Sequence, residues 1–150
     1  MARKYAVEGA NAAAPAPKTI LTLIAAATTR AWIYDIIIGN SSSPLDLASK
    51  FDVMRFTAVG TAGTTPLGRA LDPQNPAALI TCGTGHSAEP TYTVDTELLT
   101  ISLNQRATFR WVASPGGELV TLVTALSGIG LRWTTGTTNQ VNEGTIHWEE

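Results

Sequence analysis

The chain has 150 residues, 44% hydrophobic and only 15% charged, with ten basic against twelve acidic residues for a net charge of −2. That balance excludes a disordered chain, which needs low hydrophobicity and high net charge, and argues against a nucleic-acid binder, which concentrates Lys and Arg to displace counterions from phosphates. A single cysteine, Cys82, leaves no internal disulfide and no cysteine-built zinc cluster. No apolar run approaches the roughly 18 residues of a membrane helix. Charged residues average about 25% of a soluble domain, so this surface is either rich in hydroxyls and amides or partly hidden by partners.

Residues 1–18 run basic and then Ala/Pro-rich, without the charged-then-apolar order of a secretory signal, so the chain reads as cytosolic in origin. Their stretch Gly9-Ala10-Asn11-Ala12-Ala13-Ala14-Pro15-Ala16-Pro17 offers no large apolar anchor, and its prolines favour extended conformations. The expectation is an extended arm over residues 1–18, separate from a domain over residues 19–150 and dispensable for its folding.

From Thr19 the pattern turns to strands. Residues 30–39 are dense in β-branched and aromatic side chains, and period-two reading puts Trp32, Tyr34, Ile36 and Ile38 on one face. Asn40-Ser41-Ser42 matches a glycosylation sequon but reads as a polar turn. Residues 43–49 are predicted to form one short helical turn with Ser43 as its cap and Pro44 at its first position. Residues 52–59 alternate again, with Met54, Phe56 and Ala58 on one side.

Residues 60–90 form the longest irregular region, punctuated by Pro66, Pro73 and Pro76, and long loops usually serve function or contact. Short β-type runs follow at residues 91–93, 98–103, 107–112, 118–123, 128–133 and 145–148. Ser114-Pro115-Gly116-Gly117 reads as a hairpin turn between two of them. The count from Thr19 is about eight strands, at the spacing of an antiparallel sandwich or barrel, and no helix-period segment competes.

Chemistry is sparse. A nucleophile needs an adjacent base, and the only local candidate is Cys82-Gly83-Thr84-Gly85-His86; a lone Cys is ordinarily a small apolar filler. His86 with Glu89 falls short of the three or four ligands zinc requires. The carboxylates sit mostly beside turns and strand ends, and nothing selects a catalytic pair. Catalytic, cofactor and metal sites are therefore all read as none. The tryptophans Trp32, Trp111, Trp133 and Trp148 read mainly as core, with a sugar-binding platform as the alternative. Arg106 and Arg110 lie on the outward side of their strand as candidate inter-subunit ion-pair donors.

Several segments carry a family resemblance: residues 30–39, Phe56-Thr57-Ala58-Val59-Gly60-Thr61, Ala70-Leu71-Asp72-Pro73, His86-Ser87-Ala88-Glu89-Pro90-Thr91-Tyr92, residues 103–111, Gly116-Gly117-Glu118-Leu119 and Gly128-Ile129-Gly130-Leu131. Together they resemble the head decoration, or cement, proteins of tailed bacteriophages. The resemblance implies an all-β subunit, an antiparallel β-sandwich of jelly-roll type, sitting as a homotrimer on the outside of a capsid.

It further implies a virion structural protein made in the bacterial cytoplasm. Its partner would be the major capsid protein, and it would need no cofactor, nucleic acid, membrane or small-molecule substrate. Clamping of neighbouring capsid subunits is the expected action. Candidate contact residues are Arg3, Lys4, Tyr5, Val7, Pro15 and Pro17 in the arm, Arg69 in the 60–90 segment, and Arg106 and Arg110. A carbohydrate-binding module on a virion, in a head fibre or tail, is the alternative.

Overall fold

Where the sequence alternates β-branched and aromatic residues with polar ones, the chain forms strands, because such side chains pack on a pleated, half-buried surface. A computed structural model describes residues 2–136 and 139–150. Its strands are β1 (Lys4–Ala10), β2 (Lys18–Ile24), β3 (Trp32–Asn40), β4 (Ala48–Ala58), β5 (Arg69–Ala70), β6 (Thr81–Thr84), β7 (Thr91–Asn104), β8 (Phe109–Val112), β9 (Leu119–Val120), β10 (Gly128–Thr135) and β11 (Asn142–Glu149). Among the described residues there is no helix.

Two antiparallel sheets pack face to face as a β-sandwich. The first has the order β5-β1-β11-β3-β8, with β9 also on β3; the second has the order β6-β2-β10-β4-β7. Between them lie Tyr5, Val7, Ile33, Ile36, Ile38, Ile146 and Trp148 from the first sheet. Leu21, Leu23, Phe51, Val53, Ile129, Leu131 and Trp133 meet them from the second. Burying one such side chain contributes about 1.5–3 kcal/mol. On β10 Leu131 and Trp133 are both fully buried, and on β8 Phe109 and Trp111 pack against this core.

The arm expected over residues 1–18 is corrected. Met1 lies outside the described residues, but β1 is an inner strand, paired with β11 over all seven of its residues and with β5 at Tyr5 and Ala6. Its alternation turns Tyr5 and Val7 into the core at 0% and 3% exposure. Among the described residues before β2, Ala2, Arg3 and the connector from Asn11 to Pro17 lie outside the strands, with Ala14 bridged to Gln140. Asn11 ties the connector down, its side chain donating to the carbonyls of Ala12 and Gln140 and accepting from the Asn142 amide.

Three local expectations also change. In β3, His147 pairs with Asp35 but Trp148 pairs with Ile33, so a bulge at Tyr34 reverses the alternation. Ile33 therefore joins Ile36 and Ile38 in the core, while Trp32 and Tyr34 face outward. Residues 114–117 do form a turn, closed by Gly117 N–H donating to the Ser114 carbonyl at 2.8 Å. It is not a hairpin: β8 and β9 pair one after the other along the same edge of β3, so the turn loops out of a single interrupted strand. Residues 43–47 make no helical turn, and Leu45 N–H is instead held by the Gln105 side chain.

Among the described residues the strands number eleven, where about eight are expected from Thr19 onward. Strands outside the expected runs include β1, which precedes Thr19, and the short β5 and β6, with two and four residues, too few for any periodicity to register; β9 is the expected 118–123 run cut to two residues. Residues 91–93 and 98–103 merge into the single β7, whose register against β4 shifts at bulges between them.

The 60–90 segment closes one side of the sandwich, adding β5 to the edge of the first sheet and β6 to the edge of the second. Alternation in β4 turns Met54 and Phe56 away from the main core, yet they are only 6% and 1% exposed. Tyr92 covers Phe56, edge-on at 6.2 Å. Glycine permits the approach: a Cβ on Gly130 would stand 2.3 Å from the Tyr92 hydroxyl.

Candidate interaction surface

Cys82 projects into the core from β6, opposite Leu23, and burial pushes its thiol up to about 12. A thiol in that state is not a nucleophile at neutral pH. His86 packs on the opposite side of Gly83, against Thr22 and Ala62, with no hydrogen bond to Cys82. Glu89 is engaged by the Thr19 amide at 2.8 Å, the Thr19 hydroxyl and Lys18 Nζ at 3.4 Å. Among the described residues no three His, Cys, Asp or Glu side chains converge as a metal site.

The outer face of the first sheet carries a charged cluster centred on Asp35, which the β3 bulge presents outward. Arg110 grips its carboxylate with two hydrogen bonds, at 3.0 and 2.7 Å, and His147 Nδ1 stands 3.1 Å away. Tyr34 stacks on His147, Lys4 Nζ lies 5.3 Å above the Tyr34 ring, and Lys4 also pairs with Glu149 at 3.3 Å. Arg110 and Lys4, expected to reach a partner, are thus committed within the chain. The Arg110 hydrogen bonds, with those of His147, hold the Asp35 carboxyl below the usual carboxylate range.

Buried His86 lies below the ordinary histidine range because burial disfavours its charged form. The two shifts have the same sign for stability: each group binds its proton less tightly in the fold than in the unfolded chain. His86 contributes stability that is whole above a pH of roughly 6.5 and lost as the pH falls to its lower folded value. Asp35 adds a second loss below a pH of roughly 4. Urea unfolding from about pH 8 to about pH 3 should show both declines. Asp35→Asn should remove the lower one; a profile flat over this range would contradict the assignment.

The remaining candidate is a groove. β5 covers only Tyr5 and Ala6 of β1, and Ala10 is bonded to Thr84 and Gly85, so the β1 edge lies open between. Beside it is a cleft of about 640 Å³ lined by Val7, Glu8, Pro66, Leu67, Arg69 and Thr145 among others. Leu67 is 83% exposed, and Leu71 and Leu79 on the same segment are more than half exposed. The cleft thus combines an open strand edge with exposed apolar side chains and one basic residue.

Of the predicted contact residues, Arg69 and Val7 line this groove, although the Val7 side chain, like that of Tyr5, points into the core. Tyr5 and Val7 are therefore corrected from contact residues to core residues. Arg3, Pro15, Pro17 and Arg106 are exposed but scattered, and the structure does not bring them together. Trp133 and Trp148 are fully buried and Trp111 packs against the core, so Trp32, at 45% exposure, is the tryptophan most open to solvent.

A buried amide network linking Asn11, Asn40, Gln105, Gln140 and Asn142 at one end of the sandwich has no motif to announce it. In sequence these residues look like ordinary turn formers. No protein-family model, curated protein or solved structure matches the chain.

Proposed function

We propose that the chain is a non-enzymatic structural protein of a tailed-phage virion, binding the outer capsid surface as a homotrimer and stabilising the shell by clamping neighbouring major capsid subunits. The observation that carries the reading is the groove along the open β1 edge, walled by Leu67 and Arg69 on a chain with few charges. An extended capsid segment laid there adds backbone hydrogen bonds to β1 and covers Leu67, the strand-addition mode of recognition. Each such contact is weak, and many copies on one shell multiply it through avidity.

The strand order supports a sandwich of the jelly-roll type: β1-β11-β3-β8 faces β2-β10-β4-β7, and the first four strands alternate between the sheets. β1, whose edge lines the groove, pairs with the central strand β11 over all seven of its residues, so a clamp built on the groove transmits load to the core.

Co-sedimentation with empty heads of the encoding phage tests the reading. Wild-type chain should pellet with the heads, and Leu67→Asp should lower its affinity about 10- to 100-fold, the equivalent of losing one buried leucine. Its thermal midpoint should stay close to wild type, because Leu67 is 83% exposed. Absence of wild-type binding, or full occupancy by the variant, overturns the proposal.

A further inference from the structure

The second sheet ends in an edge of unusual character. From Asn104↔Ala48 to Leu99↔Val53, β7 pairs with β4 in unbroken register; its bulges all lie nearer its start. Among the described residues no strand occupies its other side, and no backbone bond joins residues 98–103 to anything but β4. Natural edges are usually blunted by shortness, charge, proline or bulges. The other edges here are blunted: β5 has two residues, β6 has four, and β8 is interrupted by the 114–117 turn. Leu98-Leu99-Thr100-Ile101-Ser102-Leu103 has no charge and no proline.

This edge is also nearly palindromic. Read from Ile101 outward in either direction, it gives a small hydroxyl residue and then leucine. An antiparallel pairing of two copies with Ile101 on the axis sets Leu99 against Leu103 and Thr100 against Ser102, twice over. Leu99 and Leu103, half-buried beside Ile101, would close over their counterparts, continuing the core across the junction. Thr100 and Ser102 are exposed on the outer face; the Thr100 hydroxyl donates to Asp52 Oδ1 at 2.7 Å within its own chain and would accept from Ser102 of the other copy. The same register carries exposed Arg106, just beyond the end of each strand, towards Glu97 of the other copy.

We propose that β7 is an isologous interface at which two copies of this chain pair edge to edge across a two-fold axis, joining their second sheets into one. It is separate from capsid binding and from any trimer contact, since a three-fold ring uses unlike surfaces whereas this edge meets itself. On a shell it would tie neighbouring clamps to one another.

The test needs no capsids, so its failure is distinct from failure of the functional reading. Light scattering of the purified chain from about 10 μM to about 1 mM should show each unit doubling in mass as concentration rises. Thr100→Lys combined with Ser102→Lys sets like charges opposite at both hydroxyl pairs and should weaken the doubling at least about 10-fold. Thr100→Lys combined with Ser102→Glu sets opposite charges there and should restore it to within about 3-fold of wild type. In the wild-type chain, amides of residues 98–103 should gain protection from hydrogen exchange as concentration rises. Mass independent of concentration, doubling unaffected by the two lysines, no rescue by the lysine–glutamate pair, or unchanged protection would each overturn the proposal.

Discussion

Removal of residues 1–10 should abolish the cooperative fold. The truncation deletes an inner strand, so β11 loses seven paired residues and β5 loses its only partner. It removes Tyr5 and Val7 from the core, and with Tyr5 go its stack on Trp148 at 5.7 Å and its hydrogen bond to the Pro76 carbonyl at 3.1 Å. Truncating a buried aromatic alone costs about 3–5 kcal/mol, and a domain's whole stability is about 5–15 kcal/mol. Loss of the strand also bares the β11 edge beside emptied core, which favours aggregation. Circular dichroism melts and amide-proton dispersion measure the outcome. A cooperative transition within about 5 °C of the full chain would show that β1 is dispensable.

Trp148→Ala should lower stability by about 3–5 kcal/mol, or the melting midpoint by roughly 6–20 °C for a domain of this size. Trp148 is fully buried on the central strand β11. Tyr5 stacks on one side of it, and its ring fills the space beside Gly68, where a Cβ would stand 2.6 Å from Trp148 Cη2. Its indole N–H donates to Glu150 at 3.2 Å, and the same carboxylate accepts the Leu79 and Ile80 amides. The substitution therefore opens a cavity and loosens the 60–90 segment together. Trp148→Phe keeps most of the volume and should cost clearly less. Urea unfolding supplies the values; a loss below about 1 kcal/mol for the alanine variant would mean that this part of the core collapses to fill the gap.

The β class was legible because Ile, Val, Thr and aromatic residues alternate through residues 30–39, 52–59, 98–103 and 128–133. Their faces were legible only where the period ran unbroken, as in Gly128-Ile129-Gly130-Leu131-Arg132-Trp133. In β3 the bulge at Tyr34 adds one residue against β11, and a single extra residue moves every later side chain to the other face. The strand β1 escaped because Lys-Tyr-Ala-Val-Glu-Gly-Ala supplies just two core side chains, a pattern too thin to distinguish from the Ala/Pro stretch after it. Its stability comes from β11, more than a hundred residues away in the chain.

The candidate site divides in the same way. That Arg69 sits on an irregular, proline-rich run could be read from the sequence. The cleft itself could not, because it exists only where β5 stops short of covering β1. Arg110 looked free because its partner, Asp35, is 75 residues away in the chain and reaches it only through the β3 bulge.

By itself, then, the sequence determined an all-β chain, the turn at residues 114–117 and a core built on Ile36, Ile38, Leu131 and Trp133, since these depend on local propensity and short-range alternation. Tertiary structure decided which edges stay open, which charges are spent internally and whether the first ten residues belong to the fold. Those outcomes are set by pairing between distant strands, whose register no local pattern encodes.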